Sequence, residues 1–210
     1  MTTRICVIRH GETDWNVQRR IQGHIDIPLN QTGRAQAMAT AFNAAHHAFS
    51  AIYSSDLSRT METAKAVAER LHLEVRPLIL LRERHYGIFQ GVTALEGKDQ
   101  YPEAYAQYIV RNPDYNFETG ECMNDFAKRV ADGMDWMAKQ HAGETIAAVS
   151  HGGVLDILYR QTTGRSLAAG RDFDIPNCAL NWFAHDGQRW HLEAWADRKH
   201  LQDALVETPE

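Results

Sequence analysis

Three short polar clusters carry the residue types best suited to chemistry. Each cluster follows a brief apolar run, and the clusters occupy residues 9–13, 54–59 and 150–153. The apolar runs have the length and composition of buried strands, and ligands bind beyond the carboxyl ends of strands in an open α/β sheet. We therefore expect the three clusters to converge on one site.

Two arginines and two histidines would meet at such a site, namely Arg9, His10, Arg59 and His151. A guanidinium group holds paired oxygens through parallel hydrogen bonds, and the amino termini of the helices that follow the strands supply further N–H donors. Neutral imidazole is a nucleophile near neutral pH. This combination suits a tetrahedral dianion such as a phosphate group.

Alternating short strands and helices must position these clusters. The predicted strands cover residues 5–8, 51–54 and 145–149, and the predicted helices cover residues 32–45, 58–71, 102–113, 121–140 and 154–159. Residues 179–183 and 190–195 flank Asp186-Gly187, a dipeptide typical of a β-hairpin. The alternation of strands and helices predicts the α/β class, and no repeat or linker marks a domain boundary.

Composition argues against several classes of function. The 210 residues carry 22 Lys plus Arg against 27 Asp plus Glu, a net charge of −5, which disfavours a nucleic-acid partner. No apolar run approaches the length of a membrane span or of the hydrophobic region of a signal peptide. The three cysteines, Cys6, Cys122 and Cys178, form no CxxC pair and favour a reducing, cytoplasmic setting.

The first cluster extends into the motif RHGETxWN at residues 9–16, which resembles the signature of the histidine phosphatase superfamily, the phosphoglycerate-mutase-like proteins. Further segments in the family order are Gln22-Gly23, Asp26-x-Pro28-Leu29 and residues 54–60, 81–83, 120–121 and 150–153. The resemblance covers most of the chain and points to the phosphatase branch with the RHG motif. It implies a three-layer α/β/α sandwich with a mostly parallel central sheet, built as a single domain over residues 1–210.

The resemblance also implies a role for each matching residue. His10 would take the phosphoryl group on a ring nitrogen and form a phosphohistidine, which water then hydrolyses. Glu83 would protonate the leaving alkoxide and then act as the base for water. Arg9, Arg59 and His151 would hold the nonbridging oxygens, where charge sits throughout phosphoryl transfer. This chemistry requires no metal and no cofactor.

Neutral groups would complete a pocket for a small phosphorylated metabolite. Besides Arg9, Arg59 and His151, the residues expected to bind substrate are Asn16, Gln22, Gly23, Tyr86 and Gly152. Glu62, Glu96 and Glu121 compete with Glu83 for the acid–base role.

Residues 93–123 are expected to form a helical, cap-like segment. Tyr101, Tyr105 and Tyr108 recur at helical spacing, and Tyr115 and Phe117 follow them. Core packing explains this aromatic pattern better than substrate selection does. The resemblance nevertheless implies that the matching segment of related phosphatases selects the substrate, so both interpretations stay open.

Two activities are compatible with the motifs: transfer of the phosphoryl group to water, and its transfer within a sugar acid. Residues 83–87 resemble the matching segment of the cofactor-dependent mutases. Residues 93–123, however, offer only Lys98 and Arg111 as cations for the second anionic group of a bisphosphate, and Gly153 stands where those mutases usually carry asparagine. We expect a phosphatase, with a cofactor-dependent phosphoglycerate mutase as the alternative.

Two other classes of protein are weaker alternatives. A protein that binds a phosphorylated ligand without catalysis would usually lack the nucleophilic histidine or the acid, and both are present. A metal-dependent hydrolase could use His10, His24, Asp26 and His151, but the sequence has no HExxH motif and no carboxylate cluster at ligand spacing. The oligomeric state stays open between a monomer and a homodimer.

Overall fold

In the computed structural model, which describes residues 1–204, six strands form one sheet. The strands are β1 (Thr3–Arg9), β2 (Ile52–Ser54), β3 (Val75–Pro77), β4 (Thr145–Ser150), β5 (Leu180–His185) and β6 (Trp190–Asp197). Their order is β3-β2-β4-β1-β5-β6; the first four run parallel, whereas β5 is antiparallel to both β1 and β6. The prediction of a mostly parallel central sheet is confirmed.

Helices cover both faces of this sheet. Within the described residues they are α1 (Asp14–Val17), α2 (Gln31–Ala44), α3 (Ser58–Leu71), α4 (Ala94–Gln100), α5 (Pro102–Ile109), α6 (Met123–Gln140), α7 (Gly152–Thr163) and α8 (Lys199–Ala204). α2 and α3 pack on one face, and α6 and α7 pack on the other. Two short 3₁₀ helices, Ile79–Leu81 and Gly87–Phe89, lie between β3 and α4. The molecule has the predicted three-layer α/β/α arrangement.

The alternation of side chains along β1 explains why both faces are covered. Ile5 and Val7 belong to the apolar cluster formed with α6 and α7, whereas Cys6 and Ile8 belong to the cluster formed with α2 and α3. All four side chains are fully buried. A strand that is apolar on both faces is buried between two layers of helices. The polar residues that follow β1 lie beyond these layers, at the carboxyl end of the strand.

The structure corrects several element boundaries. α5 ends at Ile109, one turn before the predicted end, and α7 begins at Gly152 rather than at residue 154. The polar tail predicted from residue 198 includes α8, in which Leu201 packs against Ala39 of α2, and residues 205–210 of that tail lie outside the described residues. A helix of six residues is too short to leave a periodic signal in the sequence.

Residues 93–123 carry α4 and α5 and pack around a third apolar cluster. Phe89 and Phe117 are buried within it, with 5.0 Å between their ring centroids. The tyrosines of the predicted aromatic pattern pack on this pair, and they are Tyr101, Tyr105, Tyr108 and Tyr115. The aromatic residues therefore form a local core, and Tyr108 also reaches the site described below.

Two glycines bring the loop after β1 into backbone contact with α2. A Cβ atom on Gly33 would lie 2.1 Å from the carbonyl oxygen of Glu12, and one on Gly11 would lie 2.4 Å from the carbonyl oxygen of Gly33. Asn30 caps α2 by accepting a hydrogen bond from the Gly33 N–H at 2.8 Å. The loop that carries His10 is thus fixed to the start of α2.

We expect Gly33→Ala to destabilise the protein, because the added methyl group would overlap the Glu12 backbone and force the two segments apart. Overpacking of this kind costs about 1–3 kcal/mol, which a shift in the urea unfolding midpoint would measure. Gly170→Ala is the matched control, since nothing lies within 4 Å of a Cβ atom at Gly170. An unchanged midpoint for Gly33→Ala would contradict the tight contact between loop and helix.

Candidate active site

The three polar clusters lie side by side at one edge of the sheet. β2, β4 and β1 are consecutive in the sheet and parallel, so their carboxyl ends meet. The chain passes from β1 to α2 on one face and from β4 to α7 on the opposite face. Such a divergence opens a crevice between neighbouring strand ends.

A cavity of about 190 Å³ occupies this crevice. Most of the predicted site residues line it: Arg9, His10, Gln22, Gly23, Arg59, Glu83, Tyr86 and Gly152. Four lining residues are not among those predicted, and they are Ile21, Tyr108, Gly153 and Arg171. The sequence motifs therefore include most of the residues that line the cavity, but not all of them.

The backbone and ring of His10 are both held in place. Its N–H donates to the Ser150 carbonyl at 2.9 Å, and its own carbonyl accepts a hydrogen bond from Asn177 Nδ2 at 2.8 Å. Its Nδ1 lies 2.7 Å from the carbonyl oxygen of Gly11. Because a carbonyl oxygen only accepts hydrogen bonds, we assign the ring proton to Nδ1 and the lone pair to Nε2. The ring therefore offers one unprotonated nitrogen.

His151 lies beside His10, with 5.3 Å between the two ring centroids. Its Nε2 lies 2.9 Å from the Ser55 hydroxyl oxygen, and its buried Nδ1 has no hydrogen-bond partner within residues 1–204. Burial lowers the pKa of both histidines well below the usual 6.5, and the Arg59 guanidinium lowers each pKa further. Both imidazoles are consequently neutral at pH 7 before any ligand binds.

Arg59 is fully buried and Arg9 is half-buried, and neither forms an ion pair within the described residues. Arg59 donates to the carbonyl oxygens of Gly23 at 2.8 Å and Ile25 at 3.0 Å, and Arg9 donates to the carbonyl oxygen of Ile175. The Nε atoms of both guanidinium groups are buried without a partner. Burial lowers the pKa of each arginine from 12.5 to about 10, so both remain charged at neutral pH. The cavity therefore holds two incompletely satisfied positive charges.

Glu83 borders the same cavity and is held by two backbone N–H groups. Its Oε2 accepts a hydrogen bond from Gly153 at 2.9 Å, and its Oε1 accepts one from Arg84 at 2.8 Å. The competing carboxylates form ion pairs elsewhere: Glu62 with Arg34, Glu96 with Arg20 and Glu121 with Arg129. Of these four carboxyl groups, only that of Glu83 is placed to exchange a proton with a ligand in the cavity.

Asn16 and His151, also predicted to contact substrate, are not among the lining residues of the cavity. Asn16 Oδ1 accepts a hydrogen bond from the Thr13 N–H at 3.0 Å and so completes the capping box of α1. Asn177 Nδ2, which binds the His10 carbonyl, lies 3.4 Å from the same Asn16 oxygen. Asn16 is therefore linked to the backbone of His10, and its contact with substrate stays a prediction.

Residue 153 has to be glycine because Glu83 packs directly against it. A Cβ atom at residue 153 would lie 2.0 Å from Glu83 Oε1, whereas one on Gly152 would meet Arg9 Nε at 3.5 Å, an ordinary contact. An asparagine at residue 153, as the mutases usually have, would have to displace the Glu83 carboxyl group. The sequence indicated that glycine at residue 153 is typical of the phosphatases, but it did not show that a side chain there would collide with Glu83.

Arg171 is a site residue that lies outside every motif. It belongs to the segment between α7 and β5, and it lines the cavity together with the residues of the three clusters. Residues 93–123 still offer only Lys98 and Arg111 as cations, and Arg171 adds one from outside that segment, which the comparison with the mutases did not consider. An isolated arginine in an irregular loop has neither periodicity nor a motif to mark it.

No three or more His, Cys, Asp or Glu side chains of residues 1–204 form a group that could hold a metal ion. Two of the ligands considered for a metal-dependent hydrolase make other contacts: His24 Nε2 bonds to the Glu83 carbonyl, and Asp26 Oδ1 accepts from the Ser58 hydroxyl. Over the same part of the chain, no helix combines the length and hydropathy required to cross a membrane.

Comparisons with known proteins agree with this geometry. The family model of the histidine phosphatase superfamily (branch 1) matches residues 5–198. Phosphoglycerate mutase-like protein 4 of Arabidopsis thaliana is 38% identical, and the alignment covers 95% of this chain and 87% of that protein. The metal-independent phosphoserine phosphatase of the same plant is also 38% identical, with 95% of this chain and 83% of that protein covered. The phosphoserine phosphatase of Entamoeba histolytica, solved with 3-phosphoglyceric acid, is 28% identical and superposes with a TM-score of 0.85 over 95% of this chain and 99% of that chain. The chain therefore belongs to the histidine phosphatase superfamily and, within it, to the phosphoric monoester hydrolases.

We expect Gly153→Ala to lower kcat, because the methyl group would displace the Glu83 carboxyl group. General acid–base catalysis contributes about 10²–10⁴-fold, so steady-state release of phosphate from an alkyl phosphate should fall within that range. Gly170→Ala is the control and should keep wild-type kcat, because Gly170 does not line the cavity and nothing lies within 4 Å of a Cβ atom there. An unchanged kcat in Gly153→Ala would place Glu83 outside the proton-transfer step.

The buried histidines should make the protein less stable in mild acid. The unfolded chain binds a proton on His10 and on His151 below the ordinary pKa of 6.5, whereas the low pKa values in the folded protein keep both neutral. The free energy of unfolding should therefore fall as pH drops below 6.5, by about 1.4 kcal/mol per pH unit for each histidine.

Urea unfolding at pH 7 and at about pH 5.5 measures this dependence. In His10→Gln the free energy of unfolding should depend less steeply on pH, by the contribution of one histidine. His46→Gln, which changes an exposed residue, should keep the pH dependence of the wild type. An equal pH dependence in His10→Gln and the wild type would contradict a neutral, buried His10.

Proposed function

We propose that the protein hydrolyses small phosphate monoesters through a phosphohistidine intermediate on His10. The observation that carries this proposal is the pair of guanidinium groups of Arg9 and Arg59, which line the same cavity as His10 and form no ion pair within residues 1–204. Each has a buried Nε without a hydrogen-bond partner. A phosphate dianion would supply the negative charge that these two cations lack. Membership of the histidine phosphatase superfamily supports the same reaction.

Binding of the phosphate group is the first step. Arg9 and Arg59 each have a buried Nε without a partner, and His151 has an unpartnered Nδ1. In the proposal these three side chains hold the nonbridging oxygens, where charge stays throughout a loose transition state. The other residues expected to bind substrate that line this cavity are Gln22, Gly23, Tyr86 and Gly152.

Phosphoryl transfer to His10 follows. The lone pair of Nε2 forms a bond to phosphorus while the ester P–O bond breaks, and the leaving oxygen takes a proton from the Glu83 carboxyl group. Nδ1 keeps its hydrogen bond to the Gly11 carbonyl, which stabilises the positive charge on the phosphorylated ring.

Hydrolysis of the phosphohistidine reverses these roles. The Glu83 carboxylate takes a proton from water, and the water oxygen forms a bond to phosphorus as the N–P bond breaks. His10 regains its neutral lone pair, and Glu83 is again protonated for the next turnover. Two backbone N–H groups keep the carboxyl group of Glu83 at the cavity through both halves of the reaction.

Residues 93–123 act in this proposal as a cap-like segment of a single domain. The segment contributes Tyr108 to the cavity wall and is fixed to the rest of the molecule by the packing of Phe117 on Phe89. The cavity of about 190 Å³ limits the ester to a small metabolite. A reducing, cytoplasmic setting is supported by Cys6, Cys122 and Cys178, which are all free thiols.

We expect His10→Ala to reduce phosphate release from p-nitrophenyl phosphate to the level without enzyme, because the variant lacks the nitrogen that accepts the phosphoryl group. His46→Ala, which removes an exposed imidazole, is the matched control and should keep wild-type kcat and KM. Circular dichroism would verify that both variants fold. Turnover in a folded His10→Ala variant at a rate close to wild type would contradict the mechanism.

A further inference from the structure

A second cavity adjoins the one that contains the catalytic residues. It measures about 230 Å³, and both cavities are lined by Tyr86, Tyr108, Gly153 and Arg171. A ligand whose phosphate group lies at His10 could therefore extend past these shared residues into the second cavity.

The second cavity has an excess of positive charge on one wall. The buried carboxylate of Asp156 accepts hydrogen bonds from Arg111 Nη2 at 2.7 Å, Arg160 Nε at 3.1 Å and Arg171 Nε at 3.0 Å. Three guanidinium groups thus share one carboxylate, which leaves two positive charges uncompensated within the cluster. Arg111 and Arg171 both line the second cavity.

Arg171 is the member of this cluster that is free to bind a ligand. Arg160 is fully buried and donates to the Ser166 and Gly170 carbonyls, and Arg111 donates to the Leu167 carbonyl. Arg171 is held through its Nε alone, and its two terminal nitrogens have no hydrogen-bond partner within the described residues. Its side chain is 44% exposed and lines both cavities.

We propose that Arg171 determines specificity by binding a carboxylate of the phosphate monoester, with Asp156 holding its guanidinium group in position. The two free terminal nitrogens match the two oxygens of one carboxylate. Arg160 is engaged through all three of its nitrogens, and Arg111 has only its Nη1 left, so Arg171 is the guanidinium of the cluster with a pair of free donors. This inference rests on the proposed hydrolysis and narrows its substrates to small phosphorylated carboxylic acids.

Two esters that differ in a single group test the assignment. 3-Phosphoglycerate has a carboxylate where glycerol 3-phosphate has a hydroxymethyl group. Wild-type enzyme should release phosphate from 3-phosphoglycerate with the higher kcat/KM. Arg171→Met, which keeps the apolar stem, should reduce this preference by about tenfold to a hundredfold, mainly through a higher KM for 3-phosphoglycerate.

Two further variants serve as controls. Arg165→Met removes an arginine from the same segment that pairs with Asp172 and lines neither cavity, so its preference should equal that of the wild type. Arg171→Lys keeps the charge without the paired donors and should lose part of the preference. Arg171→Met should fold, because Asp156 retains Arg111 and Arg160 as partners.

Equal losses on the two esters in Arg171→Met would overturn the assignment, since Arg171 would then contribute to phosphate binding alone. The absence of a preference for 3-phosphoglycerate in the wild type would overturn it as well. Failure of the wild type to release phosphate from either ester and from p-nitrophenyl phosphate would contradict the proposed hydrolysis itself.

Discussion

The rest of the site depends on one constraint: Arg59 is fully buried and Arg9 is half-buried, and neither forms an ion pair within residues 1–204. Moving a cation out of water costs several kcal/mol unless charge and hydrogen bonds compensate for the loss. Backbone carbonyls of Gly23, Ile25 and Ile175 supply part of that compensation, and the Nε atoms receive none. Burial lowers the pKa of His10 most, and the same two charges lower it further. The cations that attract a phosphate dianion therefore also help to keep the nucleophile neutral.

The fold maintains this costly arrangement by rigid packing around it. β1 and β4 are buried on both faces, which fixes the strand ends that carry His10 and His151. The loop after β1 is in backbone contact with α2 at Gly33, and the first turn of α7 donates the Gly153 N–H to Glu83. Glycine is required at both contacts because a Cβ atom would overlap a neighbour. The site is therefore preorganised before a ligand enters, as electrostatic catalysis requires.

Much of the fold and site follows from the sequence because short-range signals determine them. Residues 5–8 and 146–149 are apolar without interruption, so they predict strands covered on both faces, and a polar cluster after each strand predicts a shared edge. The position of Arg171 depends instead on how an irregular loop between α7 and β5 packs against Asp156. The contact between Gly153 and Glu83 joins residues 70 positions apart. Neither contact leaves a local pattern, so only the tertiary structure reveals them.

In the proposed mechanism His10 carries the phosphoryl group between substrate and water. The most direct test of this role is rapid alkaline quenching of the enzyme during turnover of a ³²P-labelled phosphate monoester, followed by mapping of the labelled peptide. We expect an acid-labile, alkali-stable phosphate on His10 that appears before inorganic phosphate and is missing in His10→Ala. Label on a different residue, or release of inorganic phosphate with no labelled enzyme at any time during a turnover, would contradict this mechanism.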